Sequence, residues 1–296
     1  MELDRANHLI ARLESLAERV EAILPPPPPA PDFGACLAFR WRRGRRGGYL
    51  EGVRALHRIG LADLQGIERQ KAELDRNTRQ FVAGHPANNA LLWGSRGTGK
   101  SSLVKALVNE YADRGLRVVE VDKTDLIDLP EIIDALTGRP ERFVLFCDDL
   151  SFEADDPSYK ALKAVLDGSV HAPPDNIVLY ATSNRRHLLP EYMSENQQAQ
   201  NVNGEIHHGD TVEEKISLSE RFGLWLSFYP FKQDEYLDIV GHWVRELDGE
   251  PAEPERMRAD ALRWALARGS RSGRSAWQFA RDWVGRNRIA RAGDQP

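Results

Sequence analysis

The segment Gly94-Ser-Arg-Gly-Thr-Gly-Lys-Ser101 constrains this chain more than any other feature. It fits the phosphate-loop pattern G-x-x-x-x-G-K-[ST] without a mismatch. Asn88–Trp93 before it is apolar enough for a buried strand, and Ser102–Glu110 after it carries apolar residues at helical spacing. Glycines at 94, 97 and 99 let the backbone curl until successive N–H groups face one anion. The helix that follows adds the positive end of its dipole. A plain glycine-rich turn between strand and helix is the alternative, but the full pattern and both flanks argue against it.

The expected nucleotide contacts are therefore Gly94, Ser95, Arg96, Gly97, Thr98, Gly99, Lys100, Ser101 and Ser102. Lys100 has the reach for the outer phosphates, and the Ser101 hydroxyl suits Mg²⁺. ATP with Mg²⁺ is the expected ligand pair.

Strand and helix patterns alternate beyond the loop. Gly115–Val121 reads as a strand, Asp128–Leu136 as a helix, and Phe143–Cys147 as a strand buried on both faces. Ser158–Leu166 reads as a helix, and Asn176–Ala181 and Leu224–Tyr229 as strands. Glu191–Lys215 is polar and reads as a mobile loop. Beyond Pro230 the pattern is purely helical, over Asp234–Leu247, Ala259–Ala267 and Ser275–Arg288. The expected fold is α/β: a parallel sheet with helices on both faces, then a small helical lid. The expected division is an N-terminal helix over 1–24, a Pro-rich linker and basic segment over 25–60, the core over 61–230 and the lid over 231–296.

Leu3, Ile10, Ala17 and Leu24 recur every seven residues, with Leu13 and Val20 between them. This helix reads either as an arm folded on its own domain or as an arm for self-association or a partner. Pro25–Pro29 then forms an extended spacer. Phe39–Gly48 holds five arginines and a Trp. It reads first as a solvated basic loop, with a grip on a nucleic-acid backbone as the alternative.

Asp148 and Asp149 close the buried strand Phe143–Cys147. The first acid can hold Mg²⁺ opposite Ser101, and the second can orient and deprotonate water. Asn184 ends the next strand, where an amide can hold the γ-phosphate or the attacking water, the role called sensor 1. Arg221, in Ser217–Leu224, is the candidate arginine finger for the γ-phosphate of an adjacent subunit. Arg274, with Arg271 as runner-up, opens the last helix and can reach the nucleotide from the lid, as a sensor 2 residue does.

In that order these parts resemble the AAA+ ATPases, over about Leu61 to Arg288. The likeness is strongest to a family of uncharacterised bacterial AAA+ proteins. It is carried by Gly66–Leu74, Ala87–Lys105, Phe146–Glu153 and Arg221–Phe228. The lid and arginine-finger region is also similar to that of replication initiators and helicase loaders. The resemblance implies that Gly66 and Ile67 line the adenine pocket. Two departures stand out. Most AAA+ proteins carry Glu where this chain has Asp149; the shorter acid brings the water closer or slows hydrolysis, with Glu153 as a substitute. The region Asp122–Leu129 lacks the aromatic pore loop of threading unfoldases, which argues against polypeptide threading.

The net charge of −5 marks no global affinity for nucleic acid, and two cysteines among 296 residues make no disulfide framework. The N-terminus is too polar for a secretion signal, and no apolar run spans a bilayer, so the cytosol is the expected address. The expectation is a homo-oligomeric Mg²⁺-ATPase that couples nucleotide state to remodelling or loading of an unknown macromolecular partner. A nucleotide-gated binding module with little hydrolysis and a small-molecule kinase are the rivals.

Overall fold

The computed structural model describes residues 2–23, 28–45, 47–54, 56, 58–152, 156–167, 174–186, 188, 200–202, 205–207, 218–247 and 254–293. The expected Glu191–Lys215 loop and Glu153 lie outside them, apart from two short antiparallel strands at Gln200–Val202 and Glu205–His207.

A seven-stranded sheet carries the fold. Its strands are β1 (Ala38–Gly44), β2 (Gly47–Val53), β3 (Ala90–Gly94), β4 (Leu116–Glu120), β5 (Arg142–Cys147), β6 (Ile177–Ser183) and the edge strand Leu224–Phe228. The spatial order is β2-β1-β4-β5-β6-β3 followed by that edge strand, and all pairings are parallel except β1 with β2. Phosphate-loop strand β3 therefore lies beside β6, and β6 beside β5. Their carboxyl ends form one crevice, the place where open α/β sheets bind ligands.

The strands read as continuous apolar runs because both faces are covered. Val144, Phe146, Tyr180 and Leu92 enter one apolar layer, while Phe143, Leu145, Leu179 and Leu91 enter the other. Helices α2 (Glu68–Val82) and α3 (Lys100–Tyr111) supply the first layer, and α4 (Leu129–Leu136) and α5 (Pro157–Asp167) the second. Each fully buried Leu or Phe contributes roughly 1.5–3 kcal/mol. Tyr180, wholly buried, is satisfied by Asn77 Nδ2 at 3.1 Å and Thr78 Oγ1 at 2.9 Å.

The segment read as a solvated basic loop instead forms the β1–β2 hairpin. Three of its arginines are matched to acids. Arg40 meets Glu120 at 2.7 Å, Arg42 meets Glu51 at 2.8 Å, and Arg43 meets Asp128 at 2.7 Å. Trp41 is buried and donates its indole N–H to Asp128 at 3.0 Å, with its ring lying over Gly48, where any Cβ would collide at 1.7 Å. Alternation of Phe39 and Trp41 with arginines was the missed strand signal.

Helix α1 (Glu2–Ile23) forms as its heptad pattern predicts. Leu9, Ile10, Leu13 and Leu16 are exposed, so its own domain does not cover that stretch of the stripe. The chain ends in three helices, α6 (Gln233–Glu246), α7 (Pro254–Ala267) and α8 (Gly273–Gly293). Val240, Ala261, Phe279 and Trp283 continue the first apolar layer. No helix among the described residues is long and apolar enough to cross a membrane.

Candidate nucleotide site

The loop between β3 and α3 is shaped by its glycines. Gly94, Gly97 and Gly99 have φ of 129°, 73° and 97°, a region that favours glycine. At Gly94 a Cβ would lie 2.0 Å from the Phe228 carbonyl oxygen, which accepts the Ser95 N–H at 3.0 Å. Gly97 faces the C-terminal helices: its carbonyl accepts the Gly273 N–H at 2.8 Å, and a Cβ would meet the Ser272 Cβ at 2.9 Å. Loop and last helix therefore touch through backbone.

Lys100 is buried, and its ammonium donates to the carbonyls of Gly94 and Ser95, both at 2.8 Å, and to Asn184 Oδ1 at 3.2 Å. Burial holds its pKa below the ordinary lysine value, against the opposing pull of Asp149 and Asp148. An incoming polyanion supplies the charge this ammonium lacks.

Asp148 and Asp149 stand at the end of β5, across from β6. Register pairs Cys147 with Ala181, which sets Asp148 beside Thr182. Thr182 Oγ1 donates to Asp148 Oδ1 at 2.5 Å and accepts the Asp149 N–H at 2.8 Å. Ser101 Oγ donates to the same Asp148 oxygen at 2.6 Å. Asn184 Nδ2 donates to Asp149. Asp149 has φ of 53°, the only described non-glycine residue in the left-handed region. Such a conformation costs about 1–2 kcal/mol, here offset by its fixed N–H and carboxylate.

These groups open onto one cavity of about 890 Å³, walled by loop, sheet ends and C-terminal helices. Arg96, Gly97, Thr98, Gly99, Lys100, Ser101, Ser102, Asp148, Asp149, Asn184, Ile67 and Arg274 all line it. Gly94, Ser95 and Gly66 do not; Gly94 and Ser95 hold the loop and Lys100 from behind, and Gly66 packs against Phe231, which does line the cavity. Arg221 lies outside it, its guanidinium on Asp167, and Arg271 is exposed outside it too.

Sequence reading missed several lining residues. Thr182 lies two residues before Asn184, near the carboxyl end of β6, so period-two alternation carried one step past the strand could have found it. Trp277 follows Arg274 by three residues on α8, and Trp243 of α6 meets it edge-on at 4.7 Å. With Ile59, Leu64, Ile67 and Ile239 they give the cavity an apolar lining beside the polar one of the loop and the acids.

The donor set fits a magnesium ion. Ser101 and Asp148 present a hydroxyl and a carboxylate in direct contact. No cluster of three or more His, Cys, Asp or Glu among the described residues could form a closed metal cage. Mg²⁺ normally takes one or two protein oxygens and completes its shell with phosphates and water.

Residues 34–287 match the family described as Protein of unknown function (DUF815). No curated protein matches the chain. Among solved structures, Orc1 from Aeropyrum pernix in complex with DNA is 16% identical, with a TM-score of 0.50 over 72% of this chain and 58% of that one. The FIGL-1 AAA domain in complex with ADP is 18% identical, with a TM-score of 0.50 over 76% and 72%. A RuvB mutant from Thermotoga maritima is 18% identical, with a TM-score of 0.48 over 75% and 64%. The chain thus spans less than two thirds of the RuvB and Orc1 lengths. The match over most of the chain places this protein in the DUF815 family, with the AAA+ P-loop fold.

Proposed function

We propose that this protein is a Mg²⁺-dependent AAA+ ATPase that couples nucleotide state to remodelling or loading of a macromolecular partner. One observation carries the reading: Lys100, the Ser101–Asp148 pair and Asn184 converge on a single cavity that also has an apolar lining. A triphosphate at the loop and a base among Ile67, Trp243 and Trp277 would satisfy both kinds of lining. Ser101 and Asp148 would hold Mg²⁺, which supplies charge neutralisation on the phosphates.

The chain's own groups then divide the work. Loop N–H groups and Lys100 bind the phosphates. Asn184 positions the attacking water. Asp149 takes the water proton as the oxygen bonds to the γ-phosphorus and the bond to ADP breaks. Arg274 reaches the nucleotide from the helices after residue 230, which act as the lid over the 61–230 core. Arg221 completes the γ-phosphate site of a neighbouring subunit, in keeping with its place outside its own cavity. Full activity then needs a homo-oligomer, in the cytosol.

ATP turnover measured against protein concentration tests this. Arg221→Ala and Lys100→Ala should each be inactive, and mixing them should restore activity. Turnover per subunit unchanged on dilution, or an active Arg221→Ala, would refute the shared site. The second reading, a nucleotide-gated module with little hydrolysis, is favoured by Asp149 itself, a short acid already engaged by Asn184. Tight ATP binding with negligible turnover in the assembled state would select it.

A further inference from the structure

The chain is acidic as a whole, yet its last two helices are not. Between Pro254 and Gly293 it carries ten arginines, no lysine and three carboxylates (Glu255, Asp260 and Asp282), a net charge of +7 against −5 for the whole chain. The carboxylates are already engaged or peripheral: Asp260 pairs with Arg263 at 2.5 Å and Asp282 with Arg286 at 2.8 Å.

The uncompensated charge lies in a line. On α8 the buried side is Ala276, Phe279, Ala280 and Trp283, so Arg274, Gln278, Arg281, Gly285 and Arg288 form the exposed side. Among the described residues, none of Arg271, Arg274, Arg281 and Arg288 has a carboxylate partner; Arg288 donates to the Leu247 carbonyl at 2.7 Å. This is the reverse of the β1–β2 hairpin, where Arg40, Arg42 and Arg43 are each neutralised by an acid. The basic surface is on the C-terminal helices, not on the sequence run richest in arginine.

We propose that the exposed arginine face of α8 beyond the nucleotide cavity, carried by Arg281 and Arg288, docks the phosphate backbone of a nucleic acid. Three features favour that partner. The cations are all arginine, whose planar fork matches phosphate oxygens bidentately. Arg281 and Arg288 stand seven residues apart on the exposed side of the helix, about 10.5 Å, so both can bear on one backbone. The apolar side of α8 is turned into the protein and Ile289 alone of its large apolar residues is exposed, too little for a bilayer face. The inference goes beyond nucleotide hydrolysis and does not depend on it.

The test measures binding of a labelled oligonucleotide, single-stranded and duplex, to the full chain across a salt series, with ADP affinity measured in parallel. Arg281→Gln with Arg288→Gln should weaken oligonucleotide binding on the order of tenfold and flatten the slope of log affinity against log salt. The flattening should be about 1.8 for duplex, at roughly 0.9 per lost phosphate contact. ADP affinity should not move. Arg281→Gln alone, which removes no carboxylate partner among the described residues, should produce half the slope change and guards against a folding defect. Arg42→Gln on the hairpin should bind as the parent does. Absence of salt-dependent binding by the parent chain overturns the proposal. So does loss on changing Arg42 but not Arg281, or binding to phosphatidylserine vesicles or an acidic polypeptide with none to either oligonucleotide.

Discussion

Thr182 is the side chain on which both acids of the candidate site depend, and its removal gives a quantitative test. Thr182→Val keeps the shape and deletes the hydroxyl. Two bonds go: the donation to Asp148 at 2.5 Å and the acceptance of the Asp149 N–H at 2.8 Å. A bond to a charged group contributes about 1.5–3 kcal/mol and a backbone bond about 1 kcal/mol. Asp148 and Asp149 are exposed, so water recovers part of this; a net cost of about 2 kcal/mol is expected. For a chain of 296 residues, at roughly 2.1 cal/mol/K of unfolding entropy per residue, that corresponds to a fall in Tm of about 3 °C. Asp148 also loses its orientation, so ADP affinity should drop about tenfold with Mg²⁺ and much less in EDTA. Calorimetry with and without metal reads the split, and Thr182→Ser should recover most of both losses. If Thr182→Val matches the parent in melting and in Mg²⁺-dependent affinity, the two-acid clamp described here is wrong.

Three further outcomes follow from particular contacts. Gly97→Ala forces a side chain into a left-handed backbone and against Ser272 at 2.9 Å; it should lose about 1–2 kcal/mol of stability and weaken ADP binding, and an unchanged melt and affinity would contradict the loop–helix contact. Lys100 has a pKa held below 10.5 by burial; phosphates raise it, so ATP binding in the alkaline range just under 10.5 should take up protons, and affinity should fall as pH rises through the lowered value. Calorimetry in buffers of different ionisation enthalpy reads that uptake, which Lys100→Ala should abolish. Tyr180→Phe removes one bond each from Thr78 and Asn77, which keep their bonds to the Leu74 and Asn88 backbone, and should cost about 1 kcal/mol in a denaturant melt without altering nucleotide affinity.

The parallel sheet and its carboxyl-end crevice were legible because they rest on long-wavelength signals: apolar runs at Phe143–Cys147 and Ile177–Ala181, a glycine loop, and acids at a strand end. Loop, Asp148 and Asn184 meet because β3, β6 and β5 are adjacent, an order that alternation of elements alone does not dictate. The β1–β2 hairpin escaped notice because its outward residues are arginines, whose local acids at 51, 120 and 128 come mostly from distant sequence. Trp243 and Trp277 escaped for a similar reason: two helices separated by about thirty residues bring them together, and each reads alone as an ordinary core aromatic. The left-handed turn at Asp149 leaves no mark in composition at all.

The central claim is that a nucleoside triphosphate and Mg²⁺ occupy the cavity between the 94–101 loop and the C-terminal helices. Isothermal titration of the folded chain with ATP or ADP in Mg²⁺ tests it most directly. Saturable one-to-one binding, lost in Lys100→Ala while that variant melts as the parent does, is the predicted result; no heat of binding from either nucleotide, or equal binding by Lys100→Ala, would contradict it.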